Sequence, residues 1–424
     1  MSKKIKLLAW CDLVAHTGFS NVAEHVLKAL YSTGLYDIDV LAINYHGDFL
    51  DKERYPYQIV PAKLKDPKDP YGKGMFVRSL ENKAYDAVWI INDVYVVEPV
   101  SRAVTQMKEA FQNRGKTPPC IFYYFPIDSK LLPGYSGMIK VADVPVAYTQ
   151  FALDETLKTV PSLKSKNIPI IYHGVDTSVF RPLSLEERSR WRRDYLKVED
   201  DTFVIINVNR NSERKQLTRT LLAFEEFRKH VPKSKLYVHA APRDSGIDLF
   251  SACNDLGFDI RRDVIFPDPR NFSPSKGYPA EVLNRFYNAA DCFLTTTLGE
   301  GYGLCAQESL AAEIPVVVPD NTVHPEIFGE DGERALIYDC KELIWVDNTA
   351  YRPLGRVEDI VEKLLQVYNE PLDAKRSRAK RGREWCVKND WKEIGEQWIS
   401  LFNRELSSRK VKGEDTSRIK ASLV

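Results

Sequence analysis

Two acidic residues, Glu300 and Glu308, are separated by seven residues in a segment that begins with a glycine-rich turn, Gly-Glu-Gly-Tyr-Gly over 299–303. An apolar run precedes the turn, and an amphipathic run over 304–312 follows it. A strand, a tight glycine turn and a helix in this order bring the backbone N–H groups of a helix start to a phosphorylated ligand. An acid in the turn can hold sugar hydroxyls, and an acid in the second helical turn can bind a ribose diol. The pair therefore points to a nucleotide-sugar rather than a bare phosphate. On the spacing alone the alternative stays open, namely that the glycine-rich turn is an ordinary one and the glutamates are solvated.

A second group of charged residues lies in the segment 207–217, where a predicted strand ends and a helix begins. Arg210 and Lys215 can converge on the space above that helix start. Two cations and the amides of a helix end would together bind a diphosphate. On the spacing alone the alternative stays open, namely that Arg210, Arg214 and Lys215 are solvated loop charges.

Length and composition narrow the class of protein. A chain of 424 residues is too long for one compact core, so two α/β domains are expected. Apolar content of 44% and charged content of 28% are ordinary for a soluble globular protein, and a net charge of +1 gives no overall reason to expect nucleic acid or an anionic membrane. No run approaches the roughly 18 apolar residues of a membrane-spanning helix, so we expect no stable membrane insertion.

The seven cysteines are scattered, odd in number and without any C-x-x-C spacing. This usage disfavours a disulfide framework or a zinc site and favours a reducing, cytoplasmic compartment. Asp37-Ile38-Asp39 matches the D-x-D of metal-dependent transferases, but it opens a strand far in sequence from the other candidate residues. We therefore expect no metal site and no required cofactor.

Short apolar strands alternate with helical patterns along the chain, and the pattern restarts after Asp176. Such alternation predicts parallel sheets with helices on both faces. Two doubly wound domains in tandem would leave a cleft at the carboxyl ends of their strands, where open α/β folds bind ligands. The predicted strands are 5–10, 39–43, 87–91, 120–125, 144–148 and 168–172, then 203–208, 235–239, 264–266, 292–296 and 316–318.

The motifs resemble those of a known family. Val208-Asn209-Arg210, with Lys215 five positions on and then Glu300 and Glu308, is similar to the donor half of the retaining GT-B glycosyltransferases, family 4 (glycosyl transferases group 1). The similarity runs in order over most of 146–390 and is loose before it. Further segments resemble the family's interdomain signature, its Pro-Glu-aliphatic segment and its small-residue loop near the donor: 173–182, His324-Pro325-Glu326-Ile327 and Thr17-Gly18-Phe19-Ser20.

The resemblance implies an α/β fold of the GT-B class, with two doubly wound Rossmann-like domains facing a central cleft. Residues 1–175 would form the N-terminal acceptor domain, and residues 176–385 the donor domain. Residues 386–404 would form a helix that packs back on the N-terminal domain. The polar stretch 405–424 has no period, so we expect it to be poorly ordered.

The resemblance also implies roles for individual residues. Arg210 and Lys215 would stabilise the departing nucleoside diphosphate, Glu308 would hold the ribose, and Glu300 would contact the hydroxyls of the donor sugar. The acceptor would attack from the face that the leaving group vacates, and the phosphate would take its proton, so that the anomeric configuration is retained. The donor-binding residues implied in this way are Gly18, Phe19, Arg210, Lys215, Glu300, Gly301, Tyr302, Gly303, Leu304 and Glu308.

The first domain departs from the family at the place where many members have a histidine, just after the strand corresponding to 121–125. Here the segment reads Phe125-Pro126-Ile127-Asp128. Asp128 is the candidate substitute, and with Arg210, Lys215 and Glu300 it completes the candidate catalytic set. The alternative is that Asp128 caps the following turn. His16 and Asn92-Asp93 are weaker candidates at other strand ends.

Several functional alternatives stay open at this point. The donor would be a UDP- or GDP-sugar carrying a hexose or a pentose, and the acceptor a glycan, lipid, protein or modified DNA. A GT-B-shaped sugar-nucleotide epimerase would bind the same donor without an acceptor, and a non-catalytic partner protein would bind a nucleotide-sugar without turnover. The basic run 375–383 is typical of a solvated helix face, although it could also contact nucleic acid or lipid headgroups.

Overall fold

The computed structural model describes residues 4–63, 68–273, 277–346 and 350–421, with side chains up to residue 409. The chain divides into two compact units. The first unit comprises Met1–His173 and Trp391–Val424, and the second comprises Gly174–Asp390.

The first unit contains a parallel sheet in the order β3-β2-β1-β4-β5-β6. All residues of β4 and β5 are buried, as expected of strands that carry helices on both faces. The elements are β1 (Ile5–Asp12), α1 (Gly18–Ser32), β2 (Tyr36–Ile43), β3 (Gln58–Pro61), α2 (Lys73–Asn82), β4 (Ala87–Ile91), α3 (Val94–Val97), α4 (Ser101–Asn113), β5 (Cys120–Phe125), α5 (Gly137–Val141), β6 (Val144–Ala147) and α6 (Gln150–Thr159).

The second unit repeats this topology with the sheet order β12-β11-β10-β7-β8-β9, all parallel, and adds the antiparallel hairpin β13-β14. Its elements are α7 (Leu185–Trp191), β7 (Phe203–Val208), α8 (Leu217–His230), β8 (Ser234–His239), α9 (Leu249–Asp255), β9 (Val264–Ile265), α10 (Ala280–Ala289), β10 (Cys292–Leu294), α11 (Leu304–Ala311), β11 (Val316–Pro319), α12 (His324–Phe328), β12 (Leu336–Tyr338), β13 (Glu342–Val346), β14 (Ala350–Leu354), α13 (Val357–Asn369) and α14 (Leu372–Lys388).

The last helix, α15 (Trp391–Ala421), belongs to the first unit. Its Trp398 is fully buried and meets Trp89 of β4 edge to face, with ring centroids 5.8 Å apart. Phe402, one turn on, stacks on Phe122 of β5 at 4.0 Å. Aromatic side chains of this size dominate the burial energy of a core, so this helix is a structural part of the first unit.

Both units are doubly wound, since in each sheet the chain starts at an inner strand and the order then reverses. In the second unit the reversal lies between β7 and β10, which are neighbours in the sheet. The predicted α/β fold class is confirmed. Ligands of open α/β sheets bind outside the carboxyl ends of the strands at such a reversal. The loops that follow β7 and β10 are therefore the expected ligand-binding loops.

Candidate active site

Three loops of the second unit meet at the carboxyl ends of the adjacent strands β7, β10 and β11. They cover residues 209–216, 295–303 and 320–323. Two of these loops carry the cations and the turn glutamate that the sequence singled out. The third, after β11, was not predicted to contribute side chains to this place.

Lys215 and Glu300 form a direct ion pair, and both side chains are largely buried. The guanidinium of Arg214 lies 3.2 Å from the other carboxylate oxygen of Glu300 and also donates to the carbonyl oxygen of Gly299. From the third loop, the hydroxyl of Thr322 accepts a hydrogen bond of 3.0 Å from the backbone N–H of Glu300. The turn glutamate is therefore fixed by both neighbouring loops.

A buried polar network holds these loops in register. The Nδ2 of Asn207, in β7, donates to the hydroxyl of Thr220 in α8 at 2.9 Å, and this hydroxyl is 2.8 Å from that of Thr296. The Thr296 hydroxyl lies 3.1 Å and 2.8 Å from the backbone carbonyl oxygens of Lys215 and Gln216. Because satisfied buried networks specify one arrangement, the position of Lys215 is set before any ligand binds.

Backbone geometry around the site is unusual at three positions. Thr322 has a φ of +46° and Gln216 a φ of +50°, both in the left-handed region, which is rare for residues with a side chain and costly for a β-branched one. Such conformations persist where the surrounding structure determines them and cluster at functional sites. Gly303, with a φ of +96°, ends the turn just before α11, where glycine alone is free of this strain.

The charge state of Glu300 follows from these contacts. Burial would raise its pKa, but Lys215 and Arg214 outweigh that effect and lower the pKa to about 2. For Lys215, burial lowers the pKa, and the Glu300 carboxylate opposes that shift. We conclude that the pair is ionised near neutral pH, with two cations around one anion.

Glu308 lies in the second turn of α11 and has a different environment from Glu300. Its carboxylate accepts a hydrogen bond of 2.8 Å from the hydroxyl of Tyr287 in α10. Burial raises the pKa of Glu308 to about 7, although the Tyr287 hydroxyl opposes the shift. Both predicted acids thus lie in the second unit, but Glu308 titrates in the physiological range.

The predicted amide donors Gly301, Tyr302, Gly303 and Leu304 lie in the turn and at the start of α11. The N–H groups of the first helical turn have no partner within a helix and carry its positive partial charge. Tyr302 is buried and accepts a hydrogen bond of 3.5 Å from Gln307. The geometry is that of an anion-binding helix start beside Glu300 and Lys215.

Arg210 is not part of the ion-pair cluster. Its guanidinium pairs with Asp244 through two hydrogen bonds of 2.8 Å and 3.1 Å, and its side chain is 67% exposed. The cation that joins Lys215 at Glu300 is Arg214, to which the sequence assigned no role in ligand binding. The predicted role of Arg210 on a diphosphate stays a prediction.

The remaining candidates lie in the first unit. Gly18 and Phe19 begin α1, where the hydroxyl of Thr17 caps the helix by accepting from the N–H of Ser20 at 3.0 Å. The same hydroxyl donates to the buried carboxylate of Asp12 at 2.8 Å, at the end of β1. Asp128 follows β5 and is half-buried. Burial raises the pKa of Tyr95, and the negative charge of Asp128 adds to that shift. The roles of Gly18, Phe19 and Asp128 stay predictions.

Half of the cations in the basic run on α14 have a structural role. Arg378 is buried and forms an ion pair with Glu370, and Arg381 donates to the carbonyl oxygens of Glu333 and Gly332 at 2.8 Å and 3.2 Å. Arg383 donates to the carbonyl oxygen of Phe180 at 3.2 Å. These contacts account for three of the six cations in the run, Arg378, Arg381 and Arg383, without an external anion.

The structure also bears on metals and membranes, within the residues that it describes. Over those residues there is no group of three or more His, Cys, Asp or Glu side chains placed to hold a metal ion. Asp39, in the D-x-D segment, instead forms an ion pair with Lys83 at 3.0 Å and accepts from Tyr85 at 2.8 Å. In the same part of the chain, no helix has the length and apolar character needed to cross a membrane.

Comparison with known proteins shows which class of protein the chain is similar to. Residues 202–346 match the family described as Glycosyl transferases group 1. An alpha-maltose-1-phosphate synthase from Mycolicibacterium smegmatis is 24% identical over 272 residues, 63% of this chain and 64% of that protein. An alpha-monoglucosyldiacylglycerol synthase from Acholeplasma laidlawii is 28% identical over 174 residues, 41% of each chain. The matches therefore span less than two thirds of either relative.

Among solved structures, the chain is similar to that of the Anabaena protein HepE, determined in complex with UDP and glucose. The TM-score is 0.67 at 15% identity, covering 94% of this chain and 100% of that one. This likeness confirms the predicted GT-B fold class. The match to the glycosyl transferases group 1 covers residues 202–346, the segment that contains Arg210, Lys215 and Glu300.

Proposed function

We propose that the protein is a glycosyltransferase that moves a hexose or pentose from a UDP- or GDP-sugar to a hydroxyl acceptor with retention of anomeric configuration. The observation that carries the proposal is the cluster of Lys215, Arg214 and Glu300 beside the start of α11. It combines cations for a diphosphate, backbone amides for its oxygens and a carboxylate for sugar hydroxyls. The family match over 202–346 and the UDP and glucose bound to the Anabaena protein support a nucleotide-sugar donor.

The chemistry of the transfer explains why fixed cations are needed. The bond between the anomeric carbon and the diphosphate oxygen breaks, and the acceptor oxygen forms its bond to the same face of that carbon. Negative charge grows on the departing diphosphate, so a cation that contacts it more strongly in the transition state lowers the barrier. Lys215 is the best-placed cation, since the network around Thr296 fixes its backbone in advance.

Proton transfer completes the balance of the reaction. The acceptor hydroxyl loses its proton to an oxygen of the departing phosphate, so that no enzymic nucleophile or base is consumed. Glu300 is unsuited to take that proton, because its pKa is held near 2. In this mechanism Glu300 positions the sugar, Glu308 binds the ribose and Arg210 contacts the diphosphate. We further propose that the transfer requires no metal, with Lys215 and Arg210 in the place that a divalent cation would take.

The experiment that tests the proposal is incubation of the protein with UDP-glucose and GDP-mannose, with and without EDTA, in the presence of glycan, lipid, protein and modified-DNA acceptors. Release of nucleoside diphosphate with a product of retained anomeric configuration, unaffected by EDTA, is the expected result. Formation of a new sugar isomer on the nucleotide would instead identify an epimerase. Binding of the donor without any turnover would identify a nucleotide-sugar-binding protein.

A further inference from the structure

His324 begins α12, directly after the loop that supports Glu300, and its side chain is fully buried. Its Nδ1 lies 3.0 Å from the backbone carbonyl oxygen of Asn321 and 3.0 Å from the Oδ1 of the same residue. The amide of Asn321 is oriented by its Nδ2, which donates to the carbonyl oxygen of Thr297 at 3.0 Å. Because a carbonyl oxygen can only accept, Nδ1 of His324 must carry the proton.

The other ring nitrogen is therefore an acceptor with an available lone pair. Among the described residues, Nε2 of His324 has no hydrogen-bond partner although it is buried. A buried polar atom left unpaired destabilises the folded state, so such an atom in a native structure needs an explanation. The lone pair is available for a molecule that the protein itself does not contain.

The position of Nε2 shows which space that molecule would occupy. A Cβ added to Gly303 would stand 3.9 Å from Nε2 and 3.8 Å from the ring of Phe328, so both side chains border the space beside this glycine. Gly303 is the last residue of the turn that carries Glu300, and its φ of +96° excludes most side chains from the space. Nε2, Glu300 and the start of α11 therefore border the same small region.

The chemistry of this region selects the kind of group that Nε2 can meet. Burial lowers the pKa of His324 to about 4, so the ring is neutral near pH 7 and offers a lone pair. Phosphate oxygens at that pH are acceptors and would be repelled by it. A hydroxyl can donate. Glu308, in the second turn of α11, is already proposed to hold the ribose hydroxyls, which leaves the hydroxyls of the transferred sugar.

We propose that Nε2 of His324 accepts a hydrogen bond from a hydroxyl of the donor sugar and so acts, together with Glu300, as a specificity-determining residue. This inference rests on the proposed function and deepens it. The substrate class it defines is a donor whose sugar keeps a free hydroxyl at the contacted carbon. Sites built to bind a hydroxyl reject analogues that lack it more strongly than an apolar pocket rejects a missing methylene.

The test compares wild type with His324→Asn and His324→Gln. Asparagine keeps a donor where Nδ1 stands but has no acceptor at the position of Nε2. Glutamine can place its amide oxygen near that position and serves as the conservative variant. The ligands are UDP, UDP-glucose, GDP, GDP-mannose and the monodeoxy analogues of both sugars, and the dissociation constant of each is measured by calorimetry.

We expect His324→Asn to bind the accepted nucleotide-sugar about 10- to 100-fold more weakly, which is the range for a lost hydrogen bond to a buried group. One monodeoxy analogue should bind wild type and the variant equally, because it lacks the hydroxyl in question. Free nucleoside diphosphate should bind both proteins alike, and His324→Gln should recover part of the affinity for the intact sugar.

Two results would overturn the inference. One is equal loss by His324→Asn of affinity for the nucleotide-sugar and for the free nucleoside diphosphate, which would make His324 a purely structural support of the loop. The other is retention of wild-type affinity for the nucleotide-sugar, as expected if Nε2 meets water alone. A different result would contradict the proposed function itself: wild type would bind neither nucleoside diphosphate nor nucleotide-sugar. The inference about His324 would then be wrong as well.

Discussion

Glu300 and Glu308 are the same amino acid in one short segment, yet their surroundings give them opposite properties. Glu300 lies between Lys215 and Arg214, and its pKa is lowered to about 2. Glu308 receives a hydrogen bond from Tyr287, and burial raises its pKa to about 7. The first is a permanent anion, whereas the second changes charge within the physiological range.

The difference between Glu300 and Glu308 shows how a turn and the helix after it can hold two carboxylates with different functions. A permanently charged Glu300 organises the cations before a ligand arrives, so little reorganisation is needed during the reaction. Glu308 gains its full value as an acceptor when it is ionised and meets the hydroxyls of a ligand. Donor affinity should then depend on pH through Glu308, and catalytic rate should depend on the Lys215–Glu300 pair.

The largest effect is expected from Lys215→Ala. This change removes the cation proposed to stabilise the leaving group and leaves the Glu300 carboxylate with Arg214 alone. Turnover should fall about 10²- to 10³-fold, as for loss of a transition-state contact. The measurement is the initial rate of nucleoside diphosphate release. Lys229→Ala, at an exposed lysine of α8 that pairs with Glu226, is the matched control and should keep the wild-type rate. A near wild-type rate for Lys215→Ala would contradict the assignment.

Glu300→Gln should reduce turnover about 10²-fold, because the amide keeps the shape but loses the charge that holds the two cations in place. The rate and the affinity for free nucleoside diphosphate are measured together. Turnover should fall far more than that affinity. If both fell by the same factor, the account of Glu300 as a contact of the sugar would be wrong.

Donor affinity should follow the ionisation of Glu308. If the anion binds the ribose diol, the dissociation constant should rise about tenfold between pH 8 and pH 6, since protonation with a pKa of about 7 removes the anion over that interval. Glu308→Gln should bind more weakly and lose this pH dependence. The measurement is calorimetric titration across that range. A pH dependence that survives unchanged in Glu308→Gln would assign it to another group.

The free energy of unfolding should distinguish Arg214 from Arg210, the two arginines of the loop after β7. Arg214 contacts the carbonyl oxygen of Gly299 and the carboxylate of Glu300, so Arg214→Ala should lower the free energy of unfolding by about 1–3 kcal/mol. The pair of Arg210 with Asp244 is exposed, and Arg210→Ala should change stability by about 1 kcal/mol at most. Urea unfolding of both variants checks this difference. Equal losses would show that Arg214 is no more embedded than Arg210.

The regular elements could be predicted where a local pattern determines them. Leu217, Leu221, Phe224 and Phe227 recur at helical spacing in the sequence, and these four side chains are buried along α8. The predicted strand 168–172 is wrong, since only an isolated bridge between Ala147 and Ile170 forms there. Pro169 removes one backbone donor from this edge segment and so weakens its pairing with β6. The strands β3 and β12 and the hairpin β13-β14 were not predicted.

The candidate active site could be predicted in part, where a local sequence pattern identifies its residues. Lys215, Glu300 and Glu308 follow from motif spacing along the chain, and Lys215 and Glu300 lie together as a consequence of the strand order. The contacts of Arg214 and Thr322 could not be predicted, because they join loops that are distant in sequence. The contact of Tyr287 with Glu308 joins helices α10 and α11 and depends on how these helices pack. The available signal was the strand order, in which β11 pairs with β10 and so places the loop after β11 next to the loop after β10.

The most direct test of the account is a crystal structure of the protein with the nucleoside diphosphate that it binds most tightly. We predict that the diphosphate lies against the start of α11 with Lys215 within hydrogen-bond distance of its oxygens, and that Glu308 binds the ribose hydroxyls. A nucleotide bound away from the carboxyl ends of β7 and β10, with Lys215 and Glu308 both unengaged, would contradict the central claim.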